Sequence, residues 1–549
     1  MNQMSVEEKH VKDWQTYKGQ RSTFESLWQS CHDYYYVEAD DINTTQSGQQ
    51  MSNILYDSTT LEAADISAAG FMSYLTPPTS KWFSLRARSE EFRNNKKIDA
   101  YFEDVAREVN SALNRSNFYD QMPAIYKSSL VYGTSVLLEE EDQETDIRFL
   151  AVPLKQVCLV EDSAGRVKGY YIEFQYTADQ AAEKFGEKNL SDDMQKELKG
   201  DKACTTKHTF LLYISKRYRL DVTKKDRKNM PIESRWIDAK AKKTVDEGGY
   251  REMPIMCHRF DKRPSMPWGF SPGMKTLPFA RQLNAIAKTS LRAMMKGADP
   301  AIAVPDNAFI MPFNQNPRYV NYYRRDMMPN GAGDIFAIGN KGNPEFGMKG
   351  VEYYTMQVKS MMYNDVFMAF SQITKEMNNP EVAERINEKM TLLGPSVGRC
   401  ISEINNPVII RTIGILQRRG RLPEPPQELI DNPGYEIDCV SQLAQAQRRG
   451  ELNALLTSLQ LAGQVATYKP DVMDRFGGDQ IIDEIWDITG ATTKVFLDDE
   501  QVAAIRDGKE KAALAQQKLQ MMQQGADIIK AGSEVDANLA AAGQTSVPK

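Results

Sequence analysis

The sequence predicts an α+β protein that is mainly helical. Apolar residues recur every three or four positions through the N-terminal part and through most of the second half of the chain, a period typical of helices. Between residues 133 and 260, short runs rich in Val, Ile, Tyr and Phe predict β-strands. With 549 residues, of which 41% are hydrophobic, the chain is long enough for several folded units.

Helices are predicted at the start of the chain. Residues 5 to 37 carry Val11, Trp14, Tyr17, Phe24, Leu27 and Trp28 at helical spacing. A polar stretch then leads into a helix of small residues that ends at Thr76-Pro77-Pro78, followed by a short strand-like run from Trp82 to Leu85. Residues 96 to 132 are again predicted as helices, with Ile98, Phe102, Val105, Val109 and Leu113 on one face.

The segment from 133 to about 260 is predicted to be a β-rich module with one short helix, Ala178 to Phe185. Its strand-like runs begin at Ser135, Ile147, Val157, Tyr170 and Thr209, and Asp162-Ser163-Ala164-Gly165 predicts a turn between two of them. We interpret the charged stretch from 216 to 243 as an exposed hairpin, not as a nucleic-acid-binding patch.

Two further helices are predicted at 273–297 and 351–372. In the first, Ala280, Asn284, Ala287, Leu291 and Met294 form one stripe. The long Pro-, Asn- and Gly-rich segment between the helices is predicted to contain brief strands at Ala308–Ile310 and Asp334–Ile338. Loops of this length are usually functional or carry structure of their own.

Another helix is predicted to begin at Asn379, a good N-cap, with Pro380 in the first turn and Glu381 at the positive helix end. Its apolar stripe keeps helical phase across Gly394-Pro395 and Asn406-Pro407, which favours one long kinked helix to about Leu416. Three short helices are the alternative. A strand at 435–440, helices at 441–464 and 479–488, and an Ala- and Gln-rich helix from Asp498 that fades into a mobile tail complete the prediction.

Charge and motifs point away from catalysis. The 68 basic and 74 acidic residues leave a formal charge of −6, which gives no general attraction for nucleic acid, and no apolar run is long enough to span a membrane. The six cysteines are widely spaced, as expected of reduced thiols; a zinc site from Cys31-His32 and Cys257-His258 is the weaker alternative. Nucleotide-binding and hydrolase motifs are absent, so we expect no cofactor, no metal and no catalytic residues.

The order of these parts resembles the portal proteins of short-tailed bacteriophages, the head-to-tail connector family. The resemblance rests on Arg21-Ser22-Thr23-Phe24-Glu25-Ser26-Leu27-Trp28, on Asp57-Ser58-Thr59 with Ala68-Ala69-Gly70 and Leu75-Thr76-Pro77-Pro78, on Trp82-Phe83 and on Tyr132-Gly133-Thr134. It continues with the helix, long loop and helix of 273 to 372, and with Pro380-Glu381-Val382-Ala383-Glu384-Arg385 and Leu393-Gly394-Pro395. The last part is similar to the family's threonine-containing helix signature but departs from it at the Thr-Ala positions.

This resemblance implies a ring, twelve-fold in the family's virion form, around a channel for double-stranded DNA. The expected division is a wing at 1–270 and 380–445, stem helices at 271–300 and 351–372, a clip at 301–350, a tunnel loop at 373–379 and a crown with the tail at 446–549. The implied partners are other copies of the chain, DNA in transit, the terminase large subunit, a tail adaptor, and capsid and scaffolding proteins. The implied location is the virion portal vertex, after assembly in the host cytoplasm.

A channel that bound DNA tightly would stall it, so few basic groups are expected to touch phosphates. The candidates are Lys288, Arg292 and Lys296 on the first stem helix and Lys375, Asn378 and Asn379 in the tunnel loop, with Pro380, Glu381, Val382, Arg385, Gly394 and Pro395 as the helix signature. For each basic residue, an intersubunit salt bridge is an open alternative. Two other functions stay open: a metal-dependent nuclease using acidic clusters such as Glu139–Asp142 or Asp498–Glu500, and a tail adaptor or internal virion protein.

Overall fold

A computed structural model of the chain describes residues 4–38, 55–89, 95–200, 203–218, 226–264, 266–298, 344–373, 393–431, 434–439 and 455–464. It also describes residues 42, 92, 220, 302–303, 336–337, 481, 485, 502, 505–509, 511–512 and 514–516. The chain divides into two units. The first comprises Met1–Ser84, Val105–Glu424 and Ile437–Ala444, and the second comprises Leu85–Asp104, Pro425–Glu436 and Gln445–Lys549.

The N-terminal helix, α1, spans Val6–Tyr35, as predicted. Ser5 caps it by accepting a 3.1 Å hydrogen bond from the Glu8 amide. The predicted apolar face is correct, because Trp28 is fully buried and Val11 packs against Leu211 and Ile237 of the β-rich module.

Three more helices and a strand follow: α2 (Thr59–Leu75), β1 (Phe83–Ala87), α3 (Lys96–Arg115) and α4 (Phe118–Tyr132). All five residues predicted on the inner face of α3 are buried. Small side chains dominate the buried face of α2, including Ala63, Ala64, Ser67 and Ala68, which allows other helices to approach its backbone closely.

The predicted β-rich module consists of two main antiparallel sheets. The first has the order β3-β2-β9, formed by β2 (Thr134–Asp142), β3 (Asp146–Val152) and β9 (Ile255–Arg259). The second is a meander of β4 (Val157–Glu161), β5 (Val167–Thr177), β6 (Lys207–Lys216), β7 (Ile232–Asp238) and β8 (Lys243–Tyr250). The predicted short helix is α5 (Ala178–Phe185), and α6 (Asp192–Glu197) and the short strands β10 (Asp261–Lys262) and β11 (Gly269–Phe270) complete the module.

The prediction of an exposed hairpin over 216–243 is only partly correct. Strands β7 and β8 do form a hairpin, but Ile232, Trp236 and Ile237 of β7 are buried. The charges on this strand alternate with apolar residues, so one face joins the core while Arg235 on the other face binds Glu233 and Glu247. Because the segment is rich in charged residues, the prediction missed the buried strand β7.

Helix α7 (Pro272–Ala298) confirms the helix predicted at 273–297. The helix predicted at 351–372 is instead two helices, α8 (Pro344–Met361) and α9 (Asn364–Ile373). Between α7 and α8, β12 (Ile302–Ala303) pairs antiparallel with β13 (Phe336–Ala337), which matches the strand predicted at 334–338. The strand predicted at Ala308–Ile310 lies outside the described residues.

The long helix α10 occupies residues 393–418 and contains a wide π-type turn, Ile401–Asn405, directly before Asn406–Arg418. It passes Asn406-Pro407 without ending, as predicted. Pro407 has no amide hydrogen and its ring crowds the carbonyl four residues earlier, and a widened turn gives that ring room. The part of this helix predicted before residue 393 lies outside the described residues.

Helix α11 (Gln427–Asp431) belongs to the second unit and precedes the predicted strand, which is β14 (Tyr435–Cys439). β1 and β14 form a two-stranded sheet, and the Arg88 amide donates a 3.2 Å hydrogen bond to the Gly434 carbonyl. Residues 455–464 form helix α12, which confirms part of the helix predicted at 441–464. Helix therefore predominates over strand in the described part of the chain, which confirms the predicted α+β class.

Candidate DNA-channel site

Helices α7 and α8 lie side by side and run antiparallel. Along α8, Gly347 lies next to Ser290 of α7 and Gly350 lies next to Ile286. The Tyr354 ring lies 6.2 Å from that of Phe279, so the partners on α7 follow in the opposite order along the chain. A Cβ atom at Gly347 would lie 2.3 Å from the Ser290 hydroxyl. The absence of a side chain at this position therefore permits the close approach of the two helices.

The charge of α7 is entirely of one sign. Its sequence contains Lys275, Arg281, Lys288, Arg292 and Lys296 and no carboxylate. Arg281, Lys288 and Arg292 are spaced by seven and four residues, so they lie on one face of the helix; we call these three residues the basic stripe. Arg281 and Arg292 are exposed and Lys288 is half-buried. The stripe extends about 16 Å along the helix at about 1.5 Å per residue.

Lys288 has an aromatic neighbour that the sequence did not indicate. Its ammonium lies 4.8 Å from the centre of the Tyr56 ring, and the Tyr56 amide donates a 2.7 Å hydrogen bond to Asn284 of the same helix. A contact of this kind at the surface is worth about 0.5–1 kcal/mol, too little to prevent Lys288 from meeting a phosphate. Tyr56 lies far from α7 along the chain, and no local pattern could have linked the two.

Large apolar side chains of both helices are exposed in the single chain. They are Leu291, Met294 and Met295 on α7 and Phe346, Met348, Tyr353 and Met356 on α8, with Phe346 80% and Met356 68% exposed. The predicted stripe on α7 thus passes from a buried residue, Ala280, to exposed ones. A set of exposed apolar residues this large is typical of an interaction surface.

The first turns of α7 are anchored in the core of the first unit. The Ser271 hydroxyl donates a 2.7 Å hydrogen bond to the Val131 carbonyl, and the hydroxyls of Tyr35 and Thr276 are 2.6 Å apart. All three side chains in these contacts, Ser271, Tyr35 and Thr276, are fully buried. The α7–α8 hairpin is therefore fixed at one end.

The other predicted site residues are placed only in part. Gly394 and Pro395 lie in α10, both exposed. Lys296 belongs to α7, but its side chain lies outside the described residues, as do Lys375, Asn378, Asn379, Pro380, Glu381, Val382 and Arg385. Their predicted roles remain predictions.

The acidic cluster proposed for a nuclease is engaged in structural contacts. Glu139 is fully buried and accepts a hydrogen bond from Thr412, Glu141 pairs with Arg418 at 2.9 Å, and Asp142 accepts hydrogen bonds from the following turn. Burial raises the pKa of Glu139 to about 8. Within the described residues no group of three His, Cys, Asp or Glu side chains could hold a metal ion; Asp498–Glu500 lie outside them.

The Cys-His pairs do not form the alternative zinc site. Cys31 and Cys257 are buried free thiols, and burial raises the pKa of each to about 12, which disfavours thiolate ligands. His32 and His258 contact the hydroxyls of Tyr132 and Ser129 at 3.1 and 2.6 Å. These pairs belong to the core.

Among the residues described, none of the helices has the length and apolar character needed to cross a membrane.

Comparison with known proteins identifies the family of the chain. The family model for bacteriophage head to tail connecting protein matches residues 7–497. The chain is 28% identical over 536 residues to the portal protein of Salmonella phage epsilon15, covering 96% of this chain and 95% of that protein. It is 27% identical over 531 residues to the probable portal protein of Bordetella phage BPP-1, covering 95% and 94%. The resemblance identified from the residues is thereby confirmed, and the chain belongs to the family of bacteriophage head to tail connecting proteins.

Proposed function

We propose that this protein is a portal subunit, a structural protein whose copies form a ring around a channel for double-stranded DNA. The observation that carries the proposal is the α7–α8 hairpin, which joins a basic face without carboxylates to a large exposed apolar surface. The two relatives named above are a portal protein and a probable portal protein, and each matches this chain over nearly its full length. This similarity favours a portal over a tail adaptor or a nuclease.

Burial of the exposed apolar residues of the α7–α8 hairpin would favour assembly of several copies. A closed ring is built from heterologous contacts, in which one face of a subunit meets a different face of the next. Phe346, Tyr353 and Met356 of α8 would be removed from water by the neighbouring copy. The family suggests twelve copies, with 271–300 and 351–372 as the stem, 301–350 as the clip, 373–379 as the tunnel loop, 1–270 and 380–445 as the wing and 446–549 as the crown.

The basic stripe would then face the channel. Duplex DNA carries about one negative charge per 1.7 Å of its axis, so about ten phosphate charges pass a stripe of this length. Three basic groups per subunit in a chain with a net charge of −6 guide the duplex without holding it. Lys296, Lys375, Asn378 and Asn379 are further candidates for transient contacts.

The remaining partners follow from a portal's position in the particle. The ring would sit at the portal vertex of the virion after assembly in the host cytoplasm, contacting capsid and scaffolding proteins. The clip would meet the terminase large subunit during packaging and a tail adaptor afterwards. Because the chain carries no nucleotide-binding motif, the packaging energy must come from the terminase.

Substitution of the exposed apolar residues tests the proposal. Phe346→Glu and Met356→Glu should leave the subunit folded but replace rings by monomers, measured by sedimentation velocity and negative-stain microscopy. Tyr218→Glu is the matched control, because Tyr218 is also an exposed aromatic residue, 82% accessible, but lies in the β-rich module. If both α8 variants form rings at the wild-type yield, the assigned assembly surface is wrong.

A further inference from the structure

The break between α8 and α9 does not coincide with a helix-breaking residue. The junction reads Met361-Met362-Tyr363-Asn364 and contains neither glycine nor proline. Val358, Met362 and Val366 keep a spacing of four residues through it, which is compatible with the continuous helix predicted there. A disagreement between local pattern and fold is expected mainly at functional or strained positions.

The break forces Tyr363 into a left-handed backbone conformation, with φ +66°. Within the described residues, the other non-glycine positions with positive φ are Asp146 and Lys242, which lie in the hairpin turns β2–β3 and β7–β8, where tight turns require such angles. Tyr363 has no hairpin to close, and a bulky side chain makes this conformation unfavourable. Contacts from elsewhere in the fold must therefore hold the break.

Helix α2 provides these contacts through Ser67. The Ser67 hydroxyl lies within hydrogen-bonding distance of the Met362 carbonyl and 2.7 Å from Oδ1 of Asn364. The side chains of Ser67 and Asn364 are buried. In a continuous helix the Met362 carbonyl would accept from the amide of Val366. That amide instead donates to the Tyr363 carbonyl at 3.1 Å. The Ser67 hydroxyl has one hydrogen to donate and also lies 2.9 Å from the Ala63 carbonyl of its own helix, so it takes the donor's place beside the Met362 carbonyl while sharing that hydrogen among neighbouring acceptors.

Gly70 of α2 lets α9 dock. A Cβ atom at Gly70 would lie 2.2 Å from Cγ of Phe367, and the Phe367 ring lies 5.3 Å from that of Phe71. Phe367 and Val366 are both buried. The broken conformation thus depends on apolar burial against α2, at a position where only glycine fits.

We propose that the α8–α9 junction is a two-state joint controlled by α2. In the docked state, Ser67 and Gly70 hold α9 against α2, and Tyr363 carries the strain. When α9 leaves α2, Tyr363 returns to the right-handed region and α8 and α9 merge into one helix. This inference goes beyond the proposed ring, since both states are properties of a single subunit.

The test is a distance between two nitroxide labels, one on each side of the joint. Glu352 and Met368 are exposed and can be changed to cysteine in a full-length background with Cys204→Ser, because Cys204 is an exposed native thiol. In a continuous helix the two Cα atoms are about 24 Å apart, from sixteen residues at about 1.5 Å each; we call this separation the continuous-helix distance. For the wild-type joint we expect a single label-to-label distance that differs from the continuous-helix distance. For Gly70→Ala and for Ser67→Ala we expect a second population at the continuous-helix distance.

Two further variants make the test specific. Gly19→Ala is the matched control, because Gly19 also lies in a helix but a Cβ there meets nothing within 4 Å, and it should leave the distance unchanged. Tyr363→Gly removes the strain of the docked state and should reduce the population at the continuous-helix distance when combined with Gly70→Ala. An unchanged distance in both α2 variants, or a population that Tyr363→Gly does not reduce, would overturn the proposal. Ring formation is scored separately by microscopy, so failure of the proposed function is distinguishable.

Discussion

Thr412 on α10 donates a 3.0 Å hydrogen bond to Oε1 of Glu139 on β2, and both side chains are fully buried. Burial raises the pKa of Glu139 to about 8, although nearby Arg411 and the Thr412 hydroxyl act in the opposite direction. Glu252 and Arg418 also face this carboxyl group and oppose each other. Glu139 is thus mainly protonated at neutral pH and connects the long helix to the three-stranded sheet.

Glu139→Gln should stabilise the protein more as pH rises. The pKa of Glu139 is 4.5 in an unperturbed side chain and about 8 here, so its contribution to stability is complete below pH 4.5 and is lost as pH rises through 8. Glutamine keeps a hydrogen bond to Thr412 without ionising. The melting temperature of the variant relative to that of the wild type should rise between pH 5 and 8, because the difference between their free energies of unfolding grows by up to about 1.4 kcal/mol per pH unit.

Glu141→Gln is the control for this measurement, because Glu141 is exposed and pairs with Arg418. Its melting temperature relative to the wild type should change little over the same range. A difference between Glu139→Gln and the wild type that is constant from pH 5 to 8 would show that Glu139 is already ionised.

Arg259→Ala should strongly destabilise the first unit. Arg259 is buried; its amide and its guanidinium bind the two oxygens of Glu403 at 2.8 and 3.2 Å, and the guanidinium also binds Glu161 at 3.0 Å. Removing one member of a buried charge network costs about 3–5 kcal/mol. Arg227→Ala, which removes an exposed pair with Asp246, should cost at most about 1 kcal/mol. Equal shifts in the urea midpoint of the two variants would contradict this account.

Gly133→Ala should be more destabilising than Gly420→Ala. Both glycines have positive φ, +78° and +65°, and each lies just after the end of a helix, so alanine introduces backbone strain at both. A Cβ atom at Gly133 would also lie 2.3 Å from the Gly269 carbonyl, whereas one at Gly420 meets nothing within 4 Å. We expect about 1–2 kcal/mol for Gly420→Ala and a clearly larger loss for Gly133→Ala in chemical denaturation. Similar losses of stability in the two variants would mean that β11 can move away from position 133 without an energetic cost.

Charge reversal in the basic stripe should impair DNA passage and leave assembly intact. Arg281→Glu combined with Arg292→Glu places carboxylates opposite phosphates, so we expect rings in normal yield and at least a tenfold drop in packaged DNA in a packaging assay. Lys12→Glu, an exposed position on α1, is the matched control. Loss of rings in the double variant would instead assign the stripe to intersubunit salt bridges.

The sequence predicted the elements whose side chains repeat with a clear period. The helices α1, α3 and α7 and the strands β2 to β6 are where their apolar patterns place them, because burial on one face determines both pattern and position. The continuation of α10 past Pro407 was also predictable, since the apolar stripe keeps its phase there. The buried strand β7 was not, because its charged residues pair with each other across the exposed face.

The features that the sequence did not indicate depend on distant contacts. The break after Met361 is made by Ser67 and Gly70 of α2, which come far earlier in the chain, and the Tyr56 neighbour of Lys288 is similarly remote. The basic stripe was only partly predicted, because Arg281 was not recognised as sharing a face with Lys288 and Arg292. Local patterns determine elements, and contacts between elements determine how they end and what they touch.

Cryo-electron microscopy of the purified full-length protein tests the central claim most directly. We expect closed rings with an open central hole, in which α7 lies next to the hole and the side chains of Arg281, Lys288 and Arg292 point into it. Uniform monomers, or rings in which the basic stripe faces outward or is buried between subunits, would contradict the proposed DNA channel.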